Sequence, residues 1–539
     1  MKHSRIGMCL LGAGLVAMAS IPPGVATAAN TESSGIKRLT AAVQMTKDDP
    51  LPTRSFTGPT DMLVDPGNPR VIVAATADLR TRVCYLERSS DAGVTWHIVG
   101  PAVPGLKSYP YCTTADNAGA TQASIAFGRN GTLYYALGGY GPGEGAADGH
   151  SSVLLARSND LGNTWSTIVV DNNRGKTGDA AAADSGVTGL AVDTSGPQDV
   201  VYVGFMQSFP NAPKGSPLKD GAVVVAVSTD GGATIAHQSN INTFSKVMQT
   251  VGGMTVPLQM MTYFGGPFMA AHNGVVEAVS GAQSTSAYNV SGTGSMALPE
   301  IVARTTDQGR TWTFSTLGPP IYSGTGNQTG IGWTPAGGPR GSFVATYAST
   351  PASAGSSGTA NIVVQRSTDD GQTWSSPHII TDDDPTQQFT SFYPQLGVAP
   401  DGRVDVVWED NRDQHDYHFQ VRYSYSTDGG VTWTKNMQIS DQPVNFGLGV
   451  SFNSDIRQPP GVASANQYAA FGWADTRLGN DTTQTQDDYA VVAQFAPLPA
   501  TRSNTLPVVA AVFAGLAVAG LVILVVFATR RRRQPAEAV

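Results

Sequence analysis

The sequence predicts an all-β protein, a β-propeller of seven blades with six as the alternative, followed by one C-terminal transmembrane helix. Three observations predict it. An eight-residue pattern, S/T-x-D-x-G-x-T-W, starts at Ser89 and returns five more times at intervals of 69, 70, 77, 62 and 59 residues. A period of that size points to a repeat architecture. Each copy lies between short β-rich runs, and the two chain ends differ in composition from the repeats.

The amino terminus reads as a secretory signal peptide over 1–28. Lys2, His3 and Arg5 precede an apolar run from Ile6 to Ala19, and Ala26-Thr27-Ala28 suits cleavage before Ala29. A short lead (29–39) opens the mature chain, the propeller is expected over 40–497, and a linker follows over 498–506. The stretch 507–529 carries no charge and is long enough to span a bilayer as a helix. Arg530 to Arg533 begin a basic tail (530–539), which places the carboxyl terminus in the cytoplasm. The expectation is a single-pass protein of the bacterial plasma membrane, with its body outside the cell.

The net charge of −8 is spread along the chain, with no basic stripe in the ectodomain, which argues against a nucleic-acid partner. Cys9 leaves with the signal, so Cys84 and Cys112 are expected to form one disulfide in an exported protein.

The six repeats run from Ser89 to Trp96, Ser158 to Trp165, Ser228 to Ile235, Thr305 to Trp312, Ser367 to Trp374 and Ser426 to Trp433. A hairpin turn explains the pattern. Its Asp accepts backbone N–H groups, its Gly supplies a positive φ, and its Ser or Thr adds a local bond. Five of the chain's eight Trp residues occupy the last position, which argues for packing rather than a ligand cage.

Strands are legible around each turn. In one unit, Pro394 to Val398, Arg403 to Trp408 and Gln420 to Ser424 precede the turn, and Asn436 to Ser440 follow it. Four antiparallel strands in about 65 residues make a propeller blade. A last unit, with strands near Gly461–Ser464, Tyr468–Trp473 and Tyr489–Phe495, lacks a turn motif and a fourth strand. The segment Val43 to Pro50 echoes His378 to Pro385, the fourth strand of another unit. The amino-terminal segment is therefore expected to complete the last blade and close the ring, which removes exposed edges.

The six motifs resemble the Asp-box (BNR) repeats of the sialidase superfamily. The resemblance implies Asp-box hairpins on one face of the propeller and any ligand on the opposite face. It also implies a substrate-binding Arg-Ile-Pro motif, an acid loop, a Tyr nucleophile activated by a Glu, and further carboxylate-binding arginines. This sequence departs from the pattern. Thr57 stands where the motif arginine belongs, beside Gly58 and Pro59, and only Thr81 and Arg82 separate Arg80 from the next strand, so the acid loop is missing. Tyr393, Tyr263, Arg457, Arg412 and Asp410 remain as catalytic candidates.

A second motif, D-x-R, follows second strands at Asp78/Arg80, Asp410/Arg412 and Asp475/Arg477. Strand alternation puts its Asp and Arg on one side, close enough to pair. These six residues are the binding candidates for the expected ligand face, either as bracing ion pairs or as charged groups around the funnel. Asp410, Asp413 and Asp416, and Asp481, Asp487 and Asp488, form two acidic groups that are expected to be solvated loop residues. His415 and His418 lack partners to complete a zinc site. No metal and no cofactor are expected. The loop Tyr140 to Gly149 lacks the setting of a phosphate loop, and the Met-rich segment Gln249 to Phe264 is expected to be a packed insertion.

The function read from these features is a surface-anchored sialidase-like propeller that binds a glycan or a surface protein on the face opposite the Asp boxes. The alternatives are an exo-acting glycoside hydrolase and an envelope assembly scaffold.

Overall fold

A computed structural model describes residues 35–497, apart from 51–55, 60, 104–105, 113–122, 142–151, 174–183, 210–211, 214–220, 243–246, 252–253, 261–266, 285–296, 323–328, 352–358, 383–389, 413–417 and 449–458. The expected signal peptide, linker, membrane helix and basic tail lie outside the described residues. Among the described residues no helix is long and apolar enough to cross a membrane.

The chain forms a seven-bladed propeller. Each blade is an antiparallel meander whose first strand lines the axis. These inner strands are Asp61–Val64, Ser124–Phe127, Asp184–Asp193, Phe268–His272, Thr329–Thr334, Ser391–Val398 and Gly461–Ala465, in blades 1 to 7. Several second strands are deeply buried. Ile72–Asp78 in blade 1 and Tyr468–Asp475 in blade 7 are buried along their whole length. A strand covered by a neighbouring blade on each face loses the polar alternation that a half-solvated strand keeps.

Closure occurs as the repeated segment implies. Arg38–Leu39 and Val43–Gln44 pair with the third strand of blade 7, Asp487–Gln494, in the registers Arg38↔Gln494 and Val43↔Ala490. The last blade thus takes three strands from the carboxyl-terminal end of the ring and its fourth from the amino-terminal end.

Seven hydrophobic clusters fill the seven joints between neighbouring blades. The tryptophans of the repeated turns belong to these joints. Trp96 of blade 1 packs against blade 7, Trp165 of blade 2 against blade 1, and Trp433 of blade 6 against blade 5. Ile235, where the Trp is replaced, does the same between blades 3 and 2. Each turn therefore caps the joint behind it.

The turns share one geometry. In the first, Asp91 accepts the Thr95 N–H (2.8 Å) and hydroxyl (2.7 Å), and Gly93 N–H donates to Ser89 Oγ (2.8 Å). Gly93 has φ +87, and a Cβ there would lie 2.7 Å from Val492 of blade 7. Both the turn and the joint thus require glycine. The other five turns repeat the Asp–Thr bonds.

Two features modify the plain ring. Val247–Val251 and Met254–Met260 form a hairpin that joins the far end of Val275–Ser284, with Leu258 and Met260 buried. Within the Met-rich segment Leu258 and Met260 are thus packed in the joint of blades 3 and 4, and 252–253 and 261–264 lie outside the described residues. Blades 4 and 5 are also joined by a short ladder, Ile321↔Pro351 and Tyr322↔Thr350.

Candidate functional site

In a four-stranded meander, the turns between strands 1 and 2 and between strands 3 and 4 fall on one face. The repeated turns join strands 3 and 4 and define that face. Asp78, Asp410 and Asp475 are the last residues of second strands, so the D-x-R motifs lie on the opposite face. Tyr393 lies at the same end, near the start of the inner strand of blade 6, in the left-handed region (φ 53) and almost fully buried, with its ring edge-on to Phe392.

The three D-x-R motifs form clamps between blades. Arg412 holds Asp410 of its own blade (Nη2–Oδ2 2.8 Å) and Asp382, just past the outer strand of blade 5 (3.0 Å). Arg477 holds Asp475 (2.7 Å) and Asp441, just past the outer strand of blade 6 (2.7 Å). Arg80 holds Asp78 (2.7 Å) and Asp49, past the closing strand of blade 7 (2.8 Å). Each inner carboxylate also accepts the backbone N–H of its arginine. In blades 6 and 7 a buried indole N–H, from Trp408 or Trp473, donates to the same Asp.

Burial acts to raise the Asp410 carboxyl, but the hydrogen bonds and charge of Arg412 outweigh it and hold the group below the usual range. These six candidates thus have strong partners within the protein. Their outer anchors escaped sequence reading, although the repeat Ile380-Thr381-Asp382 and Ile439-Ser440-Asp441 carries the signal for two of them.

The other candidates are placed as follows. Arg457, Tyr263, Asp413, His415 and Asp416 lie outside the described residues, as does nearly all of the loop Tyr140 to Gly149. Asp481 is in a surface turn. Asp410, Asp487 and Asp488, expected to be solvated, are instead buried, Asp410 at the end of the second strand of blade 6 and the other two at the start of the third strand of blade 7. That strand begins two residues earlier than its apolar run suggested, which carries both carboxyls into the joint with blade 1. Among the described residues no three His, Cys, Asp or Glu side chains are grouped to hold a metal. Thr57 is buried, and its hydroxyl oxygen accepts the Ala77 N–H (3.2 Å).

Two further residues on this face were not singled out from sequence. Arg82, at φ 60, lays its guanidinium 3.9 Å from the centre of the Tyr111 ring and makes no ion pair with a described carboxylate. The Cys84–Cys112 disulfide holds Tyr111 in place, aided by the bond from Cys112 N–H to the Arg82 carbonyl (2.9 Å). Glu300, at the same end of blade 4, is buried and pushed up to about 7 by desolvation, against a weak bond from the Thr329 hydroxyl (3.5 Å). Thr329 lines the central channel, a cavity of about 600 Å³ bounded by inner strands, among them Asp61, Phe127, Leu190, Trp333 and Leu396.

The turns and the ring together define the class of protein. A family model described as BNR/Asp-box repeat matches residues 424–435, within the sixth repeat unit. The chain is an all-β propeller that carries the BNR/Asp-box repeat. No curated protein matches it in sequence. Among solved structures it is similar to an α-L-arabinanase of Penicillium chrysogenum bound to arabinobiose, at 14% identity and TM-score 0.43, covering 69% of this chain and 94% of that one. It is similar to an α-L-arabinofuranosidase of Fusarium graminearum, also bound to arabinobiose, at 12% identity and TM-score 0.42, covering 72% and 98%. A sialidase of Trypanosoma rangeli matches at 14% identity and TM-score 0.38, covering 68% of this chain and 53% of that one.

Proposed function

We propose that this is a surface-anchored propeller that binds a glycan on the face opposite its Asp boxes. The observation that carries the reading is the pair Arg82 and Tyr111. Arg80, Arg412 and Arg477 on that face are each held between two carboxylates, whereas among the described residues Arg82 meets an aromatic ring and no carboxylate. An aromatic face and a free planar donor fork are the groups that stack on and hydrogen-bond to sugars. The non-glycine positive φ at Arg82 is a strained conformation of the kind that collects at ligand sites. The signal peptide, the uncharged stretch 507–529 and its arginine flank support an anchor that presents this face outside the cell.

The test is a binding panel of neutral and acidic oligosaccharides with the wild-type protein and Arg82→Asn, chosen because asparagine tolerates positive φ. Glycan binding weakened at least tenfold by the substitution is expected. Absence of binding to every glycan, with the fold intact, would turn the search to a surface protein partner or an assembly role.

Glu300 favours a second reading, an exo-acting glycoside hydrolase. A carboxyl raised to about 7 beside the channel suits general acid–base chemistry at neutral pH. Turnover of fluorogenic sialosides or neutral glycosides, abolished in Glu300→Gln and in Arg412→Ala or Arg457→Ala, would establish it.

A further inference from the structure

Ring closure in this protein brings carboxyl groups together. Asp487 and Asp488 open the third strand of blade 7, and Glu87 lies in the third strand of blade 1, Val83–Ser89. All three are at most 1% exposed. They sit in the joint where the amino-terminal segment completes the last blade, among Met45, Ala74, Ala490 and Val492.

Asp487 has partners supplied by that segment. The Gln44 side-chain amide (2.8 Å) and the Thr46 hydroxyl both donate to it. Asp488 receives the Thr76 hydroxyl from blade 1 on Oδ2 (2.7 Å). No described N–H or O–H group reaches either oxygen of Glu87, whereas the Gly58 N–H also bears on Asp488. The two carboxyls share this joint, since Glu87 is the cross-strand partner of Ala74, two residues from the Thr76 that donates to Asp488.

Two ionised carboxylates cannot persist there. A buried charge without a counter-ion is far costlier than a neutral acid. The other charged groups that bear on the pair, Asp487 and Asp48, are also negative. Arg80, which bridges this joint, is held by Asp78 and Asp49. A proton on one carboxyl removes the conflict and supplies the missing donor, because a protonated acid donates to its partner's oxygen.

We propose that the joint between blades 7 and 1 is a proton-operated latch, in which Glu87 and Asp488 share one proton and its loss loosens the closure of the ring. The sign follows from the environment. Desolvation raises both groups above their ordinary values near 4; neighbouring carboxylates add to it for Glu87, and for Asp488 it outweighs the lowering bond from Thr76. Stability from the latch is therefore full below about pH 4 and is lost as pH rises through the folded-state values. The other six joints contain no such carboxyl pair among their described residues, so the loosening is local. An envelope protein with this device keeps its ring shut in acid and slackens at one joint in alkali.

The test uses the full-length protein, wild type and the isosteric variants Glu87→Gln and Asp488→Asn, from pH 5 to pH 9. In the wild type the folding equilibrium constant should fall by up to tenfold per pH unit, the limit for one proton, and the thermal midpoint should fall with it. In either variant that slope should flatten. Hydrogen exchange, corrected for its intrinsic pH dependence, should rise in 83–89 and 487–494 of the wild type but not in 222–228 of blade 3. Parallel pH profiles for the wild type and a folded variant would overturn the latch. So would exchange in the wild type that rises equally in all three segments, a readout that stands even if neither variant folds.

Discussion

Arg477 of blade 7 reaches Asp441 of blade 6 across the joint between them, with 2.7 Å between Nη2 and Oδ1, while the same nitrogen holds Asp475 at 2.7 Å. The two acids differ in exposure. The Asp475 side chain is fully buried, whereas that of Asp441 is 45% exposed. One arginine therefore neutralises a buried charge and ties two blades together. Arg412 and Arg80 repeat the arrangement at the joints before blades 6 and 1.

The first prediction concerns the two sides of that clamp. Arg477→Ala leaves Asp475 buried without its counter-ion, a loss of about 3–5 kcal/mol. Asp441→Ala removes only a solvent-screened partner and should cost less than about 1 kcal/mol. Thermal midpoints of the two variants, measured side by side, should rank in that order by a wide margin. Equal midpoints would show that the clamp does not matter to the joint.

The second prediction concerns acid. Burial acts to raise the box carboxyls of Asp230 and Asp307, but the hydroxyl and N–H groups of Thr234 and Thr311 outweigh it and bring both to about 2. The other four box carboxyls are lowered in the same sense. A depressed folded-state value gives stability that is present above the ordinary value near 3.8 and lost as pH falls toward about 2. Unfolding followed from pH 5 to pH 2 should show a steep acid limb, made shallower by Asp307→Asn. This limb and the Glu87–Asp488 latch have opposite signs, so stability should peak at mildly acidic pH.

The third prediction concerns closure. Met45 is completely buried in the joint of blades 7 and 1. Met45→Ala should cost about 2–5 kcal/mol, as large-to-small core changes do. Deleting 40–46 removes that side chain together with Val43 and Gln44, which pair with Ala490 and Tyr489. The truncated protein should lose its cooperative thermal transition, because it leaves an open blade edge and an uncovered core. A truncation that melts like the parent would show that the ring does not depend on this strand.

Much of the architecture was legible because its determinants are local. The S/T-x-D-x-G-x-T-W turn is held by bonds that span at most four residues, so six copies could be read from the chain and their period gave the blade. The echo of His378 to Pro385 in Val43 to Pro50 revealed the closing strand for the same reason. The pairing of Asp and Arg within each D-x-R motif followed from strand alternation.

What the sequence left open depends on residues distant in the chain. Asp382 and Asp441 lie 30 and 36 residues from the arginines that hold them. Glu87 and Asp488 meet only because the ring joins the first blade to the last. The acidic run at 487–488 looked like solvated loop, since nothing nearby in sequence says that a strand begins there and turns inward. Sequence alone thus determined the repeat, favoured seven blades over six and indicated how the ring closes, because hairpin turns and strand patterns are short-range. Only the tertiary structure decided which charges are consumed in clamps, which acids are buried together and which arginine is laid over a tyrosine. Those outcomes depend on burial and on contacts between blades, which no local pattern encodes.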